Sequence, residues 1–232
     1  MATRTQTILA AARKKGQKTL SEYDSKRILA AYGIPVSKEA LVTSQSAARA
    51  AAKKIGYPVV LKACSADEAH KTEKGLIAVN LASQSALNDA FSDISKRAGK
   101  DYDGAYLVQE MVSGAREIMI GMHRDPSFGP SVAFGLGGIF TEILQDVVFR
   151  VAPLRKRDAR DMMRGIRAHK ILGQVRGMPR VDQDLLATAL MAVGQIALDH
   201  PEIAEIDINP LIVRGDRPVA VDGLIVLTDE TA

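Results

Sequence analysis

The feature that most constrains the fold is an alternation between short apolar runs of strand length and longer segments of helical periodicity. Apolar residues recur at helical spacing over residues 20–32, 44–55 and 83–98, and Gly33 and Gly56 end the first two segments. Strand-like runs lie at 40–43, 57–63 and 75–82. The order helix, strand, helix, strand, strand, helix predicts a mixed α/β (α+β) layer.

The second half of the chain is richer in strands. Strand-like runs occupy residues 105–112, 117–123, 132–136, 147–151, 205–213 and 218–226, and helical periodicity returns at 156–168 and 182–199. The pair Ser113-Gly114 predicts a turn that joins the first two of these strands. We therefore predict a basic N-terminal arm over residues 1–18 and two α/β lobes, at 19–103 and 104–232.

The composition is that of a globular protein with an ordinary core. Of 232 residues, 47% are apolar and 25% are charged. No apolar run approaches the roughly 18 residues that a membrane span requires, so we expect no membrane partner. A single cysteine excludes an intramolecular disulfide and favours a reducing compartment, which predicts a cytoplasmic protein. An amphipathic transit peptide in the first residues is the alternative.

The positive net charge of +4 is concentrated in one terminal segment. Residues 1–18 hold five lysines and arginines and no acid, which leaves 26 bases against 27 acids in the rest of the chain. The ten aromatic residues are not interleaved with bases, as they are in proteins that stack single-stranded nucleic acid. We therefore expect no nucleic-acid partner.

An apolar strand ends on a lysine in the sequence VVLK, residues 59–62. Such a strand holds the Lys62 ammonium at a fixed point, where a compact charge with three donors suits phosphate oxygens. The alternative is a strand lysine whose head group extends to solvent.

A glycine-rich stretch, FGLGGI at residues 134–139, directly follows another predicted strand. Glycines such as Gly137 and Gly138 let the backbone approach a phosphate and direct N–H groups toward it. The stretch matches neither of the common phosphate-binding motifs, and an ordinary tight turn is an equal alternative.

Alternation in EIDINPL, residues 205–211, places Asp207 and Asn209 on the same face of a strand. Asp222 lies thirteen residues beyond Asn209, and a hairpin would bring these two residues side by side. Two or three oxygen ligands, with room for water and nucleotide oxygens, are what Mg²⁺ requires. A solvated sheet face is the weaker alternative.

Two carboxylates, Glu110 and Glu117, lie seven residues apart on either side of the predicted turn. A strand edge here offers backbone groups to a purine ring, and a carboxylate accepts bonds from ribose hydroxyls. Without its neighbours, this segment would be interpreted as an ordinary β-hairpin.

His70 lies in a charged segment, EAHKTEK at residues 68–74. Imidazole is partly neutral near pH 7, so a ring nitrogen can attack phosphorus without a separate base. A solvated surface histidine is the alternative, and it is the more common outcome for such a segment. The other histidines, His123, His169 and His200, show no metal-ligand spacing.

These segments, in this order, resemble the ATP-grasp subunit of the acyl-CoA synthetases that form a nucleoside triphosphate from a diphosphate. The resemblance is to the β subunit of ADP-forming acetate–CoA ligase, and the succinyl-CoA synthetase β subunit is a more distant relative. The resemblance runs from about residue 19 to residue 227. It rests on LSEYDSKRILAAYGIPV, PVVLKACSADEAHKTEKG, LVQEMVSGAREIMIG, FGLGGIFTEILQDVVFRVAPL, EIDINPLIV and AVDGLIVL.

The resemblance implies an ATP-grasp fold, with two lobes around a nucleotide cleft, and a role for each candidate residue. Mg²⁺ would be ligated by Asn209 and Asp222, and His70 would carry the phosphoryl group. Lys62 would hold the phosphates of ATP or ADP, and Glu117 would bind the ribose. The full set implied to bind nucleotide is Lys62, Gln109, Glu110, Val112, Glu117, Gly137 and Gly138.

The implied reaction is acyl-CoA + ADP + phosphate ⇌ carboxylic acid + CoA + ATP. The family forms the acyl phosphate on a separate CoA-binding portion, so the resemblance implies an α subunit as partner, in an α2β2 assembly. The arm 1–18 and the basic region 155–180 are candidate faces for it, with a solvated surface as the alternative. Two departures from the family pattern are a single glycine, Gly75, after the histidine and Gly223 in place of an arginine after Asp222.

Two other classes of function are open on the sequence. One is a non-catalytic ATP-binding regulatory module, of the kind fused to acetyltransferases, against which His70, Asn209 and Asp222 argue. The other is an ATP-grasp ligase that activates a carboxylate directly for an amine. That chemistry needs a substrate-binding lobe and no phosphorylated histidine.

Overall fold

The computed structural model describes residues 3–66, 75–138 and 145–229, and it confirms the predicted mixed α/β composition. The helices are α1 (Arg4–Lys14), α2 (Glu22–Ala31), α3 (Gln45–Ile55), α4 (Gln84–Ala98), α5 (Lys156–Gly165), α6 (Gln183–Asp199) and a 3-10 helix (His169–Leu172). The strands are β1 (Glu39–Val42), β2 (Val59–Cys64), β3 (Ile77–Leu81), β4 (Ala105–Glu110), β5 (Glu117–Asp125), β6 (Gly129–Leu136), β7 (Val147–Val151), β8 (Ile203–Arg214), β9 (Arg217–Ala220) and β10 (Leu224–Leu227). Within the described ranges, no helix is long and apolar enough to cross a membrane.

Local sequence signals set the ends of α3 and α4, as predicted. Ser44 and Ser83 cap these helices, and their hydroxyl groups accept backbone N–H bonds from Ala47 and Ala86 at 3.2 Å each. Gly56 follows α3 with a φ of 98°, a conformation that glycine adopts without steric cost. These helices therefore begin and end where the sequence places their caps.

Residues 4–14 of the predicted basic arm form α1, a helix that the sequence pattern did not predict. A capping box begins it, in which Thr3 accepts the Gln6 N–H at 3.3 Å and the Gln6 side chain accepts the Thr3 N–H at 2.8 Å. Ile8 and Leu9 are buried in the main hydrophobic core. The sequence pattern did not reveal the apolar face of α1, because this face is short and its residues are interspersed with basic ones.

The smaller compact unit comprises Ser21–Tyr23 and Ser37–Met111. Its strands form an antiparallel sheet in the order β1-β4-β2-β3. Along β2, Leu61 and Ala63 face the core that α3 and α4 cover, whereas Lys62 alternates onto the opposite face. Strand alternation thus separates Lys62 from the apolar core of this unit.

The larger unit comprises Met1–Leu20, Asp24–Val36 and Val112–Ala232. Its sheet has the order β10-β8-β5-β6-β7, with β9 paired to β8, and these named strands pair with one another in antiparallel fashion. α5 and α6 pack against this sheet, where Val132 and Phe134 are fully buried. Polar side chains of β8 alternate away from this core, which positions the residues described below.

Residues 113–114 connect β4 to β5, but these two strands do not pair, so the alternative of an ordinary β-hairpin is excluded. β4 pairs with β1 and β2, whereas β5 pairs with β6 and β8. A Cβ atom on Gly114 would collide with the backbone carbonyl of Val213, so this connection packs closely against β8. Long-range strand pairing therefore overrides the local turn signal.

Two boundaries also differ from the sequence-based expectation. The predicted strand at 218–226 is divided into β9 and β10 around Asp222, whose carboxylate accepts the Gly223 N–H at 2.8 Å. The compact units divide after Met111 rather than after Asp103, because β4 pairs with β1 and β2.

Candidate functional site

Lys62 and Gln109 lie on the same face of the sheet in the smaller unit. β2 and β4 pair with Val60 opposite Gln109 and Lys62 opposite Leu107, so the lysine and the glutamine are diagonal neighbours. Both residues are buried. Two of the residues predicted to bind nucleotide are therefore held on one surface by strand pairing.

The Lys62 ammonium is paired with a carboxylate that the sequence did not single out. Its Nζ donates to Glu22 Oε1 at 2.7 Å, and both side chains are almost completely buried. Glu22 is the first residue of α2 and lies 40 positions earlier in the chain. A solvent-extended Lys62 is thus excluded, and β2 carries a buried cation.

Glu110 ends β4 and engages the backbone next to β1. Its carboxylate accepts the Lys38 N–H at 2.9 Å, and its own N–H donates to the Lys38 carbonyl at 2.8 Å. Val112 groups with the larger unit, where it is buried with Val219 and Val221. These contacts anchor Glu110 and Val112, and their part in nucleotide binding stays a prediction.

In the larger unit, Glu117, Gly137, Gly138 and Asn209 meet at one place. The Gly138 N–H donates to Asn209 Oδ1 at 3.0 Å, and the Gly137 N–H donates to the Glu117 carbonyl at 2.9 Å. Both N–H groups expected to point at a phosphate are therefore engaged within the protein. Gly138 has a φ of 62°, and a Cβ atom there would collide with the Glu117 carboxylate. The positive φ, which residues with a side chain rarely adopt, is what favours glycine at this position.

Arg116 fixes the start of β5 and hence the residue that follows it, Glu117. Its buried guanidinium donates to the carbonyls of Ile171, Gly173 and Gly215 at 3.4, 3.3 and 2.8 Å. Segments that are distant in sequence are thereby tied to one point. Sequence reasoning missed Arg116, since nothing in AREIMI distinguishes a buried arginine from an exposed one.

β8 and β9 form the hairpin expected for the candidate metal ligands. Their ladder reaches Leu211 opposite Ala220, so the antiparallel order continues toward Asn209 and Asp222. A register shift between β8 and β5 lies next to Asn209, and such bulges often re-aim a side chain near a functional site. Strand pairing therefore brings Asn209 and Asp222 to the same end of the hairpin.

Asp207 is a further acidic residue of this region. Burial, together with the negative charges of Glu205 and Asp222, raises the pKa of Asp207 to about 6. Carboxylates that oppose one another's ionisation in this way are stabilised by a bound cation. The alternation in EIDIN had placed Asp207 on the face of Asn209, but only the structure shows the crowding of negative charge.

The donor set fits Mg²⁺ that is held jointly with a nucleotide. Within residues 3–66, 75–138 and 145–229, no cluster of three or more His, Cys, Asp or Glu is arranged to hold a metal ion. Mg²⁺ usually keeps several waters and takes only one or two protein carboxylates together with substrate phosphates. Asn209, Asp222 and the crowded Asp207 match this chemistry.

His70 lies in residues 67–74, outside the described ranges, so its role stays a prediction. Of the other candidates, Lys62, Gln109 and Glu110 belong to the smaller unit. The candidates in the larger unit are Val112, Glu117, Gly137, Gly138, Asn209 and Asp222. Each unit therefore carries its own group of candidate residues.

The chain belongs to the ATP-grasp family, because the family model described as ATP-grasp domain matches residues 11–227. Within that class it is similar to subunit beta of the ADP-forming acetate–CoA ligase I of Pyrococcus furiosus, with 42% identity over 92% of this chain and 94% of that protein. It is also 40% identical to the ADP-forming acetate–CoA ligase I of Archaeoglobus fulgidus, over 88% of this chain and 30% of that protein. The chain thus spans nearly all of the first relative and under a third of the second. These matches confirm the family resemblance.

Solved structures of a dinucleotide-forming acetyl-coenzyme A synthetase from Ca. Korarchaeum cryptofilum share the fold. The complex with coenzyme A, Ca-AMPCP and HgCl+ has a TM-score of 0.92 and 38% identity, over 97% of this chain and 100% of that chain. A second complex, with Mg-AMPPCP and a phosphohistidine segment pointing towards the nucleotide binding site, has a TM-score of 0.86 at the same identity and coverage. The predicted ATP-grasp fold is therefore confirmed.

Proposed function

We propose that this chain is the nucleotide-binding β subunit of an ADP-forming acyl-CoA synthetase. It would transfer a phosphoryl group between a histidine and ADP, within the reaction acyl-CoA + ADP + phosphate ⇌ carboxylic acid + CoA + ATP. The observation that carries this proposal is the 42% identity to a β subunit of this class over 92% of this chain and 94% of that subunit. The meeting of Glu117, Gly138 and Asn209 at one place supports it.

Each proposed nucleotide contact has chemistry suited to one part of ATP or ADP. The Lys62 ammonium suits phosphate oxygens, and the Glu117 carboxylate suits ribose hydroxyls. The backbone around Gln109, Glu110 and Val112 offers donors and acceptors to adenine. The glycine turn would contribute close backbone approach to the phosphates.

The chemical step would be an in-line transfer at phosphorus. When ATP is consumed, a ring nitrogen of His70 attacks the γ-phosphorus, an N–P bond forms, the bond to the β–γ bridging oxygen breaks, and ADP leaves. The reverse step makes ATP from phosphohistidine and ADP. Lys62 would stabilise negative charge on the phosphates throughout. Mg²⁺, when bound by Asn209 and Asp222, would supply further neutralisation of phosphate charge.

A CoA-binding α subunit is the proposed partner, in an α2β2 assembly. The similar Pyrococcus furiosus protein is itself a subunit beta, and this chain matches only part of the longer Archaeoglobus fulgidus protein. Residues 155–180 carry nine lysines and arginines against two aspartates, and all nine bases are exposed. This basic region and the basic face of α1 are the surfaces proposed for the contact. A cytoplasmic location is proposed because a single cysteine suits a reducing compartment.

Labelling with γ-labelled ATP and Mg²⁺ tests the proposal, on the protein alone and with a co-purified α subunit and CoA. Acid-labile, base-stable label on the wild type that is absent from His70→Ala is the expected result. His123→Ala changes an exposed histidine of β5 and should keep the label. ATP binding without label in any combination would instead favour the non-catalytic ATP-binding module.

A further inference from the structure

Lys62 is a buried cation with a buried counter-charge. Its side chain is 5% exposed, and the Glu22 carboxylate, 2% exposed, lies 2.7 Å from its Nζ. A buried ammonium without an opposite charge tends to lose its proton, because desolvation disfavours the charged form. The contact with Glu22 therefore helps to keep Lys62 charged at this point of the sheet.

Glu22 occupies a position that suits a fixed carboxylate. It is the first residue of α2, where the helix dipole favours negative charge, and it belongs with β2 to the smaller unit. A lysine side chain has several rotatable bonds, and a short charge-assisted bond selects one orientation of the ammonium. An ammonium carries three donors, so a bond to Glu22 is compatible with bonds to phosphate oxygens.

We propose that Glu22 is the positioning residue of Lys62, which keeps the ammonium charged and oriented for nucleotide phosphates without touching the nucleotide itself. This inference rests on the proposed function, since it takes Lys62 to meet phosphates. Two other roles make different predictions. A purely structural pair would affect stability alone, and a competing pair would occupy Lys62 and weaken nucleotide binding.

Calorimetric titration with ADP and Mg²⁺, from about pH 6.5 to about pH 9.5, separates these roles. Glu22→Gln keeps the shape and removes the charge, and losing a charge-assisted hydrogen bond should weaken ADP binding about tenfold or more. The loss should grow with pH, because removal of the Glu22 charge makes the Lys62 ammonium easier to deprotonate. Glu22→Asp keeps the charge at a greater distance and should recover part of the affinity. Asp24→Asn, the same change at a half-exposed pair with Arg27 on α2, should leave binding unchanged.

A double variant keeps the test decisive even where Glu22→Gln folds poorly. Lys62→Met should weaken ADP binding by itself, and adding Glu22→Gln to it should cause no further loss, because the two residues act as one unit. The double variant also removes both charges of the buried pair together.

Three results would overturn the inference. The first is tighter ADP binding by Glu22→Gln, and the second is a lower melting temperature of that variant with unchanged affinity and pH profile. The third is a Lys62→Met variant that binds ADP as tightly as the wild type does. That result would contradict the inference about Glu22 without contradicting the proposed function. A wild type that binds neither ADP nor ATP removes the proposed function and this inference together.

Discussion

Replacing Asp207 by asparagine should stabilise the protein at neutral pH, because the native carboxylate lies in an unfavourable environment. Asp207 is on β8, opposite Gly121 of β5. Burial and the negative charges of Glu205 and Asp222 raise its pKa from 3.8 to about 6. Asparagine has nearly the same shape and cannot ionise, so it removes the electrostatic penalty without creating a cavity.

The size of this effect follows from the shift in pKa. Ionisation of Asp207 is harder in the folded protein, so stability is lost as the pH rises from about 4, where an unfolded aspartate ionises, to about 6. A shift of about two pKa units corresponds to roughly 3 kcal/mol in the free energy of unfolding. The free energy of unfolding of Asp207→Asn should therefore exceed that of the wild type by up to about 3 kcal/mol at pH 7.5. Near pH 4 the two values should be equal.

Urea unfolding followed by far-ultraviolet circular dichroism, from about pH 4 to about pH 8, measures this difference. Asp216→Asn, at an exposed position in the turn between β8 and β9, is the matched control. It should change the free energy of unfolding by less than about 0.5 kcal/mol at every pH. Equal stability of Asp207→Asn and the wild type at pH 7.5 would refute the reasoning, and so would an advantage that does not vary with pH.

Two further substitutions test the glycine turn and a buried carboxylate. Gly138→Ala should lose ADP affinity in calorimetric titration, because its Cβ atom would meet the Glu117 carboxylate. Gly129→Ala, at positive φ in open space, is the control and should only lower the free energy of unfolding, by about 1–2 kcal/mol. Equal ADP affinities of the two variants would contradict this expectation. Asp146 accepts two backbone N–H bonds just after α5, at 2.7 and 2.8 Å. Burial raises its pKa, but these donors and the nearby Arg167 guanidinium together outweigh burial and lower the pKa overall. Asp146→Asn should therefore cost about 1–3 kcal/mol at neutral pH in urea unfolding, and a cost that does not shrink below about pH 4 would count against this account.

Local signals made much of the fold predictable. Ser44 and Ser83 marked helix starts, and the apolar run at residues 147–151 has the bounds of β7. The prediction failed where a long-range contact replaced a local one. Residues 113–114 connect strands of different sheets, whereas the interruption of the predicted strand around Asp222 is a local feature that the alternation did not reveal.

The sequence by itself determined the family and the identity of the candidate residues, because the order of motifs is a property of the chain alone. It also placed Asp207 and Asn209 on one strand face, since side chains alternate with a period of two. Only the tertiary structure decided that Lys62 is buried against Glu22, that Arg116 anchors the start of β5, and that Asp207 is crowded by other acids. Burial and local charge at each of these points are set by segments that are distant in sequence, so no local pattern predicts them.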